Sequence, residues 1–319
     1  MGELNYYVAR VSILLITVAF LITVAALIAG MVGHVSPSQN LEIRTWYDLN
    51  AIRDNLNGNH TLMNDLDSTT AGYEELASPT ANGGKGWQPI GTFLPWAETT
   101  FTGFMGTFDG QGYKIRDLFI NRPDELGVGL FGEVGQEGII KDIGVVNATV
   151  TGEAFVGGVV GLNRGTLSNS YSSGNVAGVD WFVGGLVGDT FAGTVSNSYS
   201  TGNVTGTDGV GGLVGLNDEY GVVSNSYSTG SVTGDVNVGG LVGVNNGTTV
   251  SNSFWDIQTS GQATSAGGTG KNTTEMQDIA TFTAAAWNII AVANPGTRNP
   301  AYTWNIANGV TYPFLSWQP

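Results

Sequence analysis

The sequence predicts an all-β protein, a right-handed parallel β-helix (β-solenoid) of about six coils of roughly 27 residues each. The first observation is a hexad, Val-Gly-Gly-Leu-Val-Gly, that occurs at 183–188, 210–215 and 238–243, and at 156–161 with one change. Its closing glycines, at 161, 188, 215 and 243, are 27, 27 and 28 residues apart. A fixed period of this size is typical of stacked repeats, and it is too short for a propeller blade.

The second observation is a block that recurs in phase with the hexads. Ser-Asn-Ser-Tyr-Ser occurs at 168–172, 196–200 and 224–228, and Ser-Asn-Ser-Phe follows at 251–254. No segment of the repeat has helical periodicity, and three short β-rich pieces are separated by Gly, Asn and Asp. This pattern favours three strands in each coil.

In a parallel stack, equivalent residues of successive coils lie one above the other. The sequence therefore predicts a structural ladder that comprises Asn169, Asn197, Asn225, Asn252, Tyr171, Tyr199, Tyr227 and Phe254. Strict strand alternation would place Val223, Asn225 and Tyr227 inside the coil and the intervening serines outside. We expect the asparagines to hydrogen-bond along the solenoid axis and the rings to stack.

The amino-terminal segment predicts a membrane anchor. Residues 11–32 carry no charge, and as a helix they would span roughly 33 Å, enough for a bilayer core of about 30 Å. Arg10 favours a cytoplasmic tail at 1–10, with the bulk of the chain outside a single-pass anchor. A cleaved signal peptide and a pilin-like tail are the alternatives.

The remaining sequence divides at the ends of the repeats. Residues 33–44 are interpreted as a linker and 45–100 as an amino-terminal cap, whose helix begins at Thr45 and uses Leu49, Ile52 and Leu56. The repeats occupy 101–254, and a carboxy-terminal cap follows at 255–319, with a short helix predicted over 273–282.

Composition argues against several functions. The net charge of −15 disfavours nucleic acid as a partner. The chain has no cysteine, and its two histidines, His34 and His60, form no His-Glu-x-x-His motif. Asp180, Asp208 and Asp235 recur before the hexads and are interpreted as solvated turn residues rather than as a polysaccharide-cleaving site. We expect no catalysis, no cofactor and no metal.

The Gly-Leu-Val-Gly cores at 185–188 and 212–215 resemble the GLUG-motif repeat family of bacterial and archaeal cell-surface proteins. The resemblance covers about half of the chain. It implies an extracellular β-solenoid in an adhesin-like protein, and it implies no chemistry. In some members the repeats accompany IgA-cleaving metallopeptidases.

The predicted function is structural or adhesive, at the cell surface, with other surface proteins or glycans as possible partners. A glycan-binding module is the main alternative, since Trp181-Phe182 replaces the Asp208-Gly209 and Val236-Asn237 of later coils. An exposed indole there would offer a face on which a sugar ring stacks. A polysaccharide-active enzyme and a pilin-like filament subunit are further alternatives.

Overall fold

Three parallel sheets form the body of the solenoid, and the chain adds strands to them one turn at a time. The structure is a computed structural model that describes residues 40–92, 103–246 and 249–318. Sheet 1 has eight strands. They are Leu41–Ile43, Asn59–Leu62, Thr107–Asp109, Ile139–Lys141, Thr166–Ser168, Thr194–Ser196, Val222–Ser224 and Thr249–Ser251.

Sheet 2 has thirteen strands, because each turn contributes up to three short segments to it. They are Lys114–Arg116, Phe119–Val128, Gly144–Gly157, Tyr171–Gly178, Trp181–Gly184, Tyr199–Ser200, Asn203–Thr205, Asp208–Gly211, Tyr227–Ser228, Val232–Thr233, Val236–Gly239, Phe254–Asp256 and Thr269–Lys271.

Sheet 3 has five strands. They are Phe131–Val134, Val160–Asn163, Val187–Phe191, Val214–Asp218 and Val242–Asn245. A complete turn needs a strand from each sheet, so the solenoid has about five turns, where the repeat count predicted about six. The parallel β-solenoid itself is confirmed by this pairing. Its right hand stays a prediction, based on the general handedness of parallel crossovers.

The hexad joins sheet 2 to sheet 3, and its glycines let the two sheets touch through their backbones. Val183, Leu186 and Val187 are fully buried in the hydrophobic core. A Cβ atom on Gly184 would lie 2.7 Å from the nitrogen of Gly215 and closer still to a carbonyl oxygen of sheet 3. Only glycine permits this approach, which explains the repeat in physical terms.

The solenoid begins before the repeats. Leu41–Ile43 and Asn59–Leu62 pair in parallel as its first two rungs, in segments that the sequence assigned to the linker and the cap. An α-helix, Trp46–Ala51, connects them, with Thr45 as its N-cap and a 3₁₀ turn at Ile52–Asp54. The helix therefore lies between the first two rungs in chain order, and its Trp46 and Leu49 are fully buried in the hydrophobic core.

The other helices of the described residues are short. They are the α-helices Tyr73–Leu76, Ile257–Ser260, Thr273–Met276 and Ile279–Ala284 and the 3₁₀ segment Ala81–Gly84. The single helix predicted over 273–282 is two helices, because Asp278 accepts from the backbone of Ala280 and caps the second. The small sheet 4, Ile289–Ala291, Trp304–Ile306 and Phe314–Leu315, completes the carboxy-terminal part.

No helix of the described residues is long and apolar enough to cross a bilayer. The predicted anchor at 11–32, with the tail at 1–10, lies outside the described residues.

Candidate functional site

The tyrosines of the repeat form a stacked ladder on the outer face of the coil. The rings of Tyr171 and Tyr199 are 4.9 Å apart at 3°, and those of Tyr199 and Tyr227 are 4.9 Å apart at 2°. They belong to a hydrophobic cluster shared with the carboxy-terminal part, whereas Val223 lies in the solenoid core. The prediction that Val223 and Tyr227 share the inner face therefore differs from the structure.

The asparagines account for this difference. Asn169, Asn197, Asn225 and Asn252 have φ between 47° and 48°, a left-handed conformation that asparagine tolerates better than most residues. Each therefore forms a corner that reverses strand alternation, so the serine after it turns inward and the ring after that turns outward.

Serine hydroxyls carry a series of hydrogen bonds along the axis, and the side chain of one of these asparagines makes an axial bond as well. The Ser198 hydroxyl accepts from the Ser170 backbone at 3.1 Å, and the Ser226 hydroxyl accepts from the Ser198 backbone at 3.2 Å. Asn169 donates to Asp142 at 3.1 Å, whereas Asn225 Oδ1 is buried without a hydrogen-bond partner in the described part of the chain.

The carboxy-terminal part covers the ladder. The Tyr227 hydroxyl donates to the carbonyl of Pro313 at 2.5 Å, and Gln318 donates to the Tyr199 hydroxyl at 2.6 Å. Trp287 donates to the carbonyl of Asn252 at 2.7 Å. Burial raises the pKa of Tyr199 and Tyr227 above the ordinary tyrosine range. These rings hold two parts of the chain together and are inaccessible to a ligand.

Tyr227→Phe should lower the free energy of unfolding by about 1–2 kcal/mol, because it leaves the buried carbonyl of Pro313 without its donor. The ring itself should stay in place, since the equivalent Phe254 is buried in the same cluster without a hydroxyl. Thermal unfolding and the rate of proteolysis within 273–318 measure the change.

Tyr220→Phe is the matched control, because Tyr220 is 85% exposed, and it should unfold like the wild type. Equal unfolding of the Tyr227 and Tyr220 variants would contradict a stabilising role for the Tyr227 hydroxyl.

A second aromatic group, formed by Phe155, Trp181 and Phe182, lies at the surface of sheet 2 and is here called the aromatic patch. Trp181 is 41% exposed and begins a strand, in register with Asp208 of the next turn. Its ring centroid lies 6.2 Å from those of both phenylalanines, which are 5.5 Å from each other. The structure thus brings together Trp181 and Phe182, the two predicted ligand contacts, and adds Phe155.

The two phenylalanines occupy a strained backbone position. The residue directly before the first valine of each hexad has a left-handed backbone conformation. In later turns this residue is Gly209 or Asn237, but here it is Phe155 or Phe182, with φ of 53° and 57°. A bulky residue in this conformation is an outlier that costs about 1–3 kcal/mol, and such strain is often found at functional sites. The patch is therefore the first candidate for ligand binding.

Asp189, which the sequence shows as one of several acids in the repeats, lies on sheet 3. Asp189 is 3% exposed and stacks between Leu162 and Leu216. Burial raises its pKa to about 8, Asp218 adds to the shift, and Arg164 opposes it. Arg164 instead forms an ion pair with Glu133 at 2.9 Å. The signal was present, because aspartate interrupts a position that is leucine in adjacent turns.

His60 lies in a strand of sheet 1, whereas Asp208 begins a strand of sheet 2. His60 is buried in a strand, not on a polar loop, and burial lowers its pKa. Asp208 is half-buried at the start of a strand, so the predicted solvated turn is wrong for this residue, and it accepts from Asn237 at 2.8 Å. Asp235 is exposed, as predicted. Within the described ranges, no three His, Cys, Asp or Glu residues are grouped to hold a metal ion.

Comparisons with known proteins connect this solenoid to surface proteins. One stretch of 168 residues is 35% identical to halomucin of Haloquadratum walsbyi and covers 52% of this chain but 2% of that protein. Another of 90 residues is 37% identical to a "putative Gly-rich membrane protein" of Evansella cellulosilytica and covers 27% of this chain and 10% of that protein. This chain thus spans a small part of either relative.

A crystal structure titled "putative immunoglobulin A1 protease", from Bacteroides ovatus, superimposes with a TM-score of 0.63 over 89% of this chain and 94% of that chain. The two are 18% identical, so the likeness shows the fold alone. Residues 206–233, one complete turn that includes a hexad and a tyrosine block, match the family model described as the GLUG motif. The chain therefore carries the GLUG motif within its parallel β-solenoid.

Proposed function

We propose that the chain is an extracellular surface protein with a structural or adhesive role and no catalytic turnover. The observation that carries this proposal is the in-register stack, in which each repeat contributes the same core valines, serine ladder and tyrosine ladder to one rod. The names of the two relatives, a halomucin and a membrane protein, support a surface location.

The uncharged segment at 11–32 supports attachment to the membrane as a single-pass anchor. The full-length chain should sediment with membranes, and protease added to intact cells should degrade its repeats. Deletion of residues 1–35 should remove it from the membrane fraction. Full-length protein in the soluble cytosolic fraction would overturn the anchored, extracellular assignment.

A glycan-binding role is the second candidate, and the aromatic patch is the observation that favours it. A partly exposed indole beside two strained phenylalanines resembles the rigid aromatic surfaces on which sugar rings stack. The full-length chain on a glycan array tests for such binding, and a reducing-sugar release assay tests the alternative of turnover.

Trp181→Ala should change the free energy of unfolding by no more than about 1 kcal/mol, since the side chain is 41% exposed. Binding of any glycan that the patch holds should weaken by about tenfold or more, as for a central aromatic contact. Calorimetric titration and thermal unfolding measure the two effects.

Tyr47→Ala is a suitable control, because Tyr47 is 50% exposed and lies outside the patch. Unchanged glycan binding by the Trp181 variant would exclude the patch as the site. A loss of stability well above 1 kcal/mol would assign Trp181 a structural role instead.

A further inference from the structure

A cleft between the solenoid and the carboxy-terminal part has the composition of a sugar-binding site. Its volume is about 240 Å³, somewhat below the roughly 300–1,000 Å³ of pockets for drug-sized ligands, so it suits a single ring. The residues that line it and carry the argument are Asp142, Asn169, Asn288, Tyr302, Thr303 and Trp317.

The solenoid wall of the cleft is rigid. Asp142 and Asn169 are the left-handed corners of successive turns, with φ of 55° and 48°, and Asn169 donates to the Asp142 carboxylate at 3.1 Å. Trp317 donates from its indole to the carbonyl of Asn169 at 3.2 Å and packs against Tyr171 at 5.7 Å. The indole is therefore fixed before a ligand arrives.

The opposite wall leaves polar atoms for a ligand. Asn288 Oδ1 accepts from the backbone of Thr303 at 2.6 Å, which orients the carboxamide. Its Nδ2 donors, the hydroxyl of Thr303 and Oδ1 of Asn169 make no hydrogen bond to other described residues. The cleft thus presents donors, acceptors and aromatic surface around one small space.

We propose that this cleft binds a neutral sugar ring, as a site separate from the aromatic patch. The Asp142 carboxylate is acceptor-only and so favours a ligand rich in hydroxyl donors, whereas the Asn288 carboxamide supplies donors in return. Trp317 and Tyr302 offer apolar surface for the carbon face of the ring. The chain's net charge of −15 disfavours acidic sugars.

The test uses the full-length chain and saturation-transfer NMR with glucose, galactose, mannose and N-acetylglucosamine, and with glucuronate as the acidic comparison. Asn288→Asp keeps the acceptor for Thr303 and removes the free donors, and Tyr302→Ala removes a ring from the cleft wall. Both variants should weaken binding of the neutral sugar by about tenfold, with thermal unfolding unchanged. Trp181→Ala should bind as the wild type does.

Three results would overturn the proposal. They are no binding of any neutral sugar at millimolar concentration, full binding by both cleft variants, and tighter binding of glucuronate than of the neutral sugars. Loss of binding in Trp181→Ala alone would place the sugar on the aromatic patch. None of these results bears on whether the chain sediments with membranes or is exposed at the cell surface, so the proposed surface role is tested separately.

Discussion

Gly211→Ala should destabilise the protein by more than about 4 kcal/mol, which falls among the rare, severe substitutions. Gly211 is the second residue of a hexad, where sheets 2 and 3 meet. An added Cβ would lie 2.7 Å from the nitrogen of Gly243 and 2.8 Å from the carbonyl carbon of Val214, and closer still to its oxygen. All of these are backbone atoms, so no side chain can rotate away, and the sheets must separate.

Thermal unfolding should show this loss as a fall in Tm of about 10 °C or more, and proteolysis should begin in the turns beside Gly211 because stacked repeats depend on their neighbours. Gly296→Ala is the control: its Cβ would meet only a side-chain oxygen of Asn294, at 3.3 Å, so its Tm should be close to that of the wild type. A Gly211 variant as stable as the Gly296 variant would mean that the two sheets do not touch.

The stacking of the repeats was predictable because it depends on period alone. Identical hexads at a fixed spacing bury the same valines in each turn, and the structure places Val183, Val210 and Val238 in parallel register. The first two rungs were not predictable by this route. Leu41–Ile43 and Asn59–Leu62 resemble no repeat, and only their burial against the core identifies them as part of the stack.

The direction of the tyrosines depended on a single backbone angle. Alternation along Val223–Tyr227 would have held if Asn225 were extended, but its φ of 47° inserts a corner. The recurrence of asparagine was itself a signal, because asparagine tolerates this conformation, as glycine does. A ladder of inward asparagines and a series of corner asparagines give the same sequence pattern.

The two candidate sites differ in how far sequence could lead to them. Trp181 was identifiable because it departs from its own repeat, in which Asp208 and Val236 occupy the same position in later turns. The cleft was not identifiable, because it forms only where residues from 288 to 317 dock against the corners at Asp142 and Asn169. That docking depends on the outward tyrosines, which alternation had placed inside.

Asp189→Leu should stabilise the protein, and the gain should increase with pH. The Asp189 carboxyl has a pKa of about 8 in the folded state because burial disfavours the charged form, against about 3.9 in an unfolded chain. Between these values the folded state holds a proton that the unfolded state has released, so the wild type loses stability as pH rises from about 4 to about 8. A difference of about four units corresponds to about 5–6 kcal/mol.

Leucine suits the site, since Leu162 and Leu216 hold the same position in the adjacent turns. Denaturant unfolding at intervals from pH 4 to pH 9 should show the smallest difference between the variant and the wild type at the acid end. They should then separate by about 5 kcal/mol near pH 8, with no further change above it.

Asp189→Asn, which removes the charge alone, should share the pH dependence with a smaller gain, because a polar group stays buried. Asp235→Asn, at an exposed carboxylate, should follow the wild type throughout. A gap between Asp189→Leu and the wild type that is constant with pH would mean that Asp189 is not protonated in the folded protein.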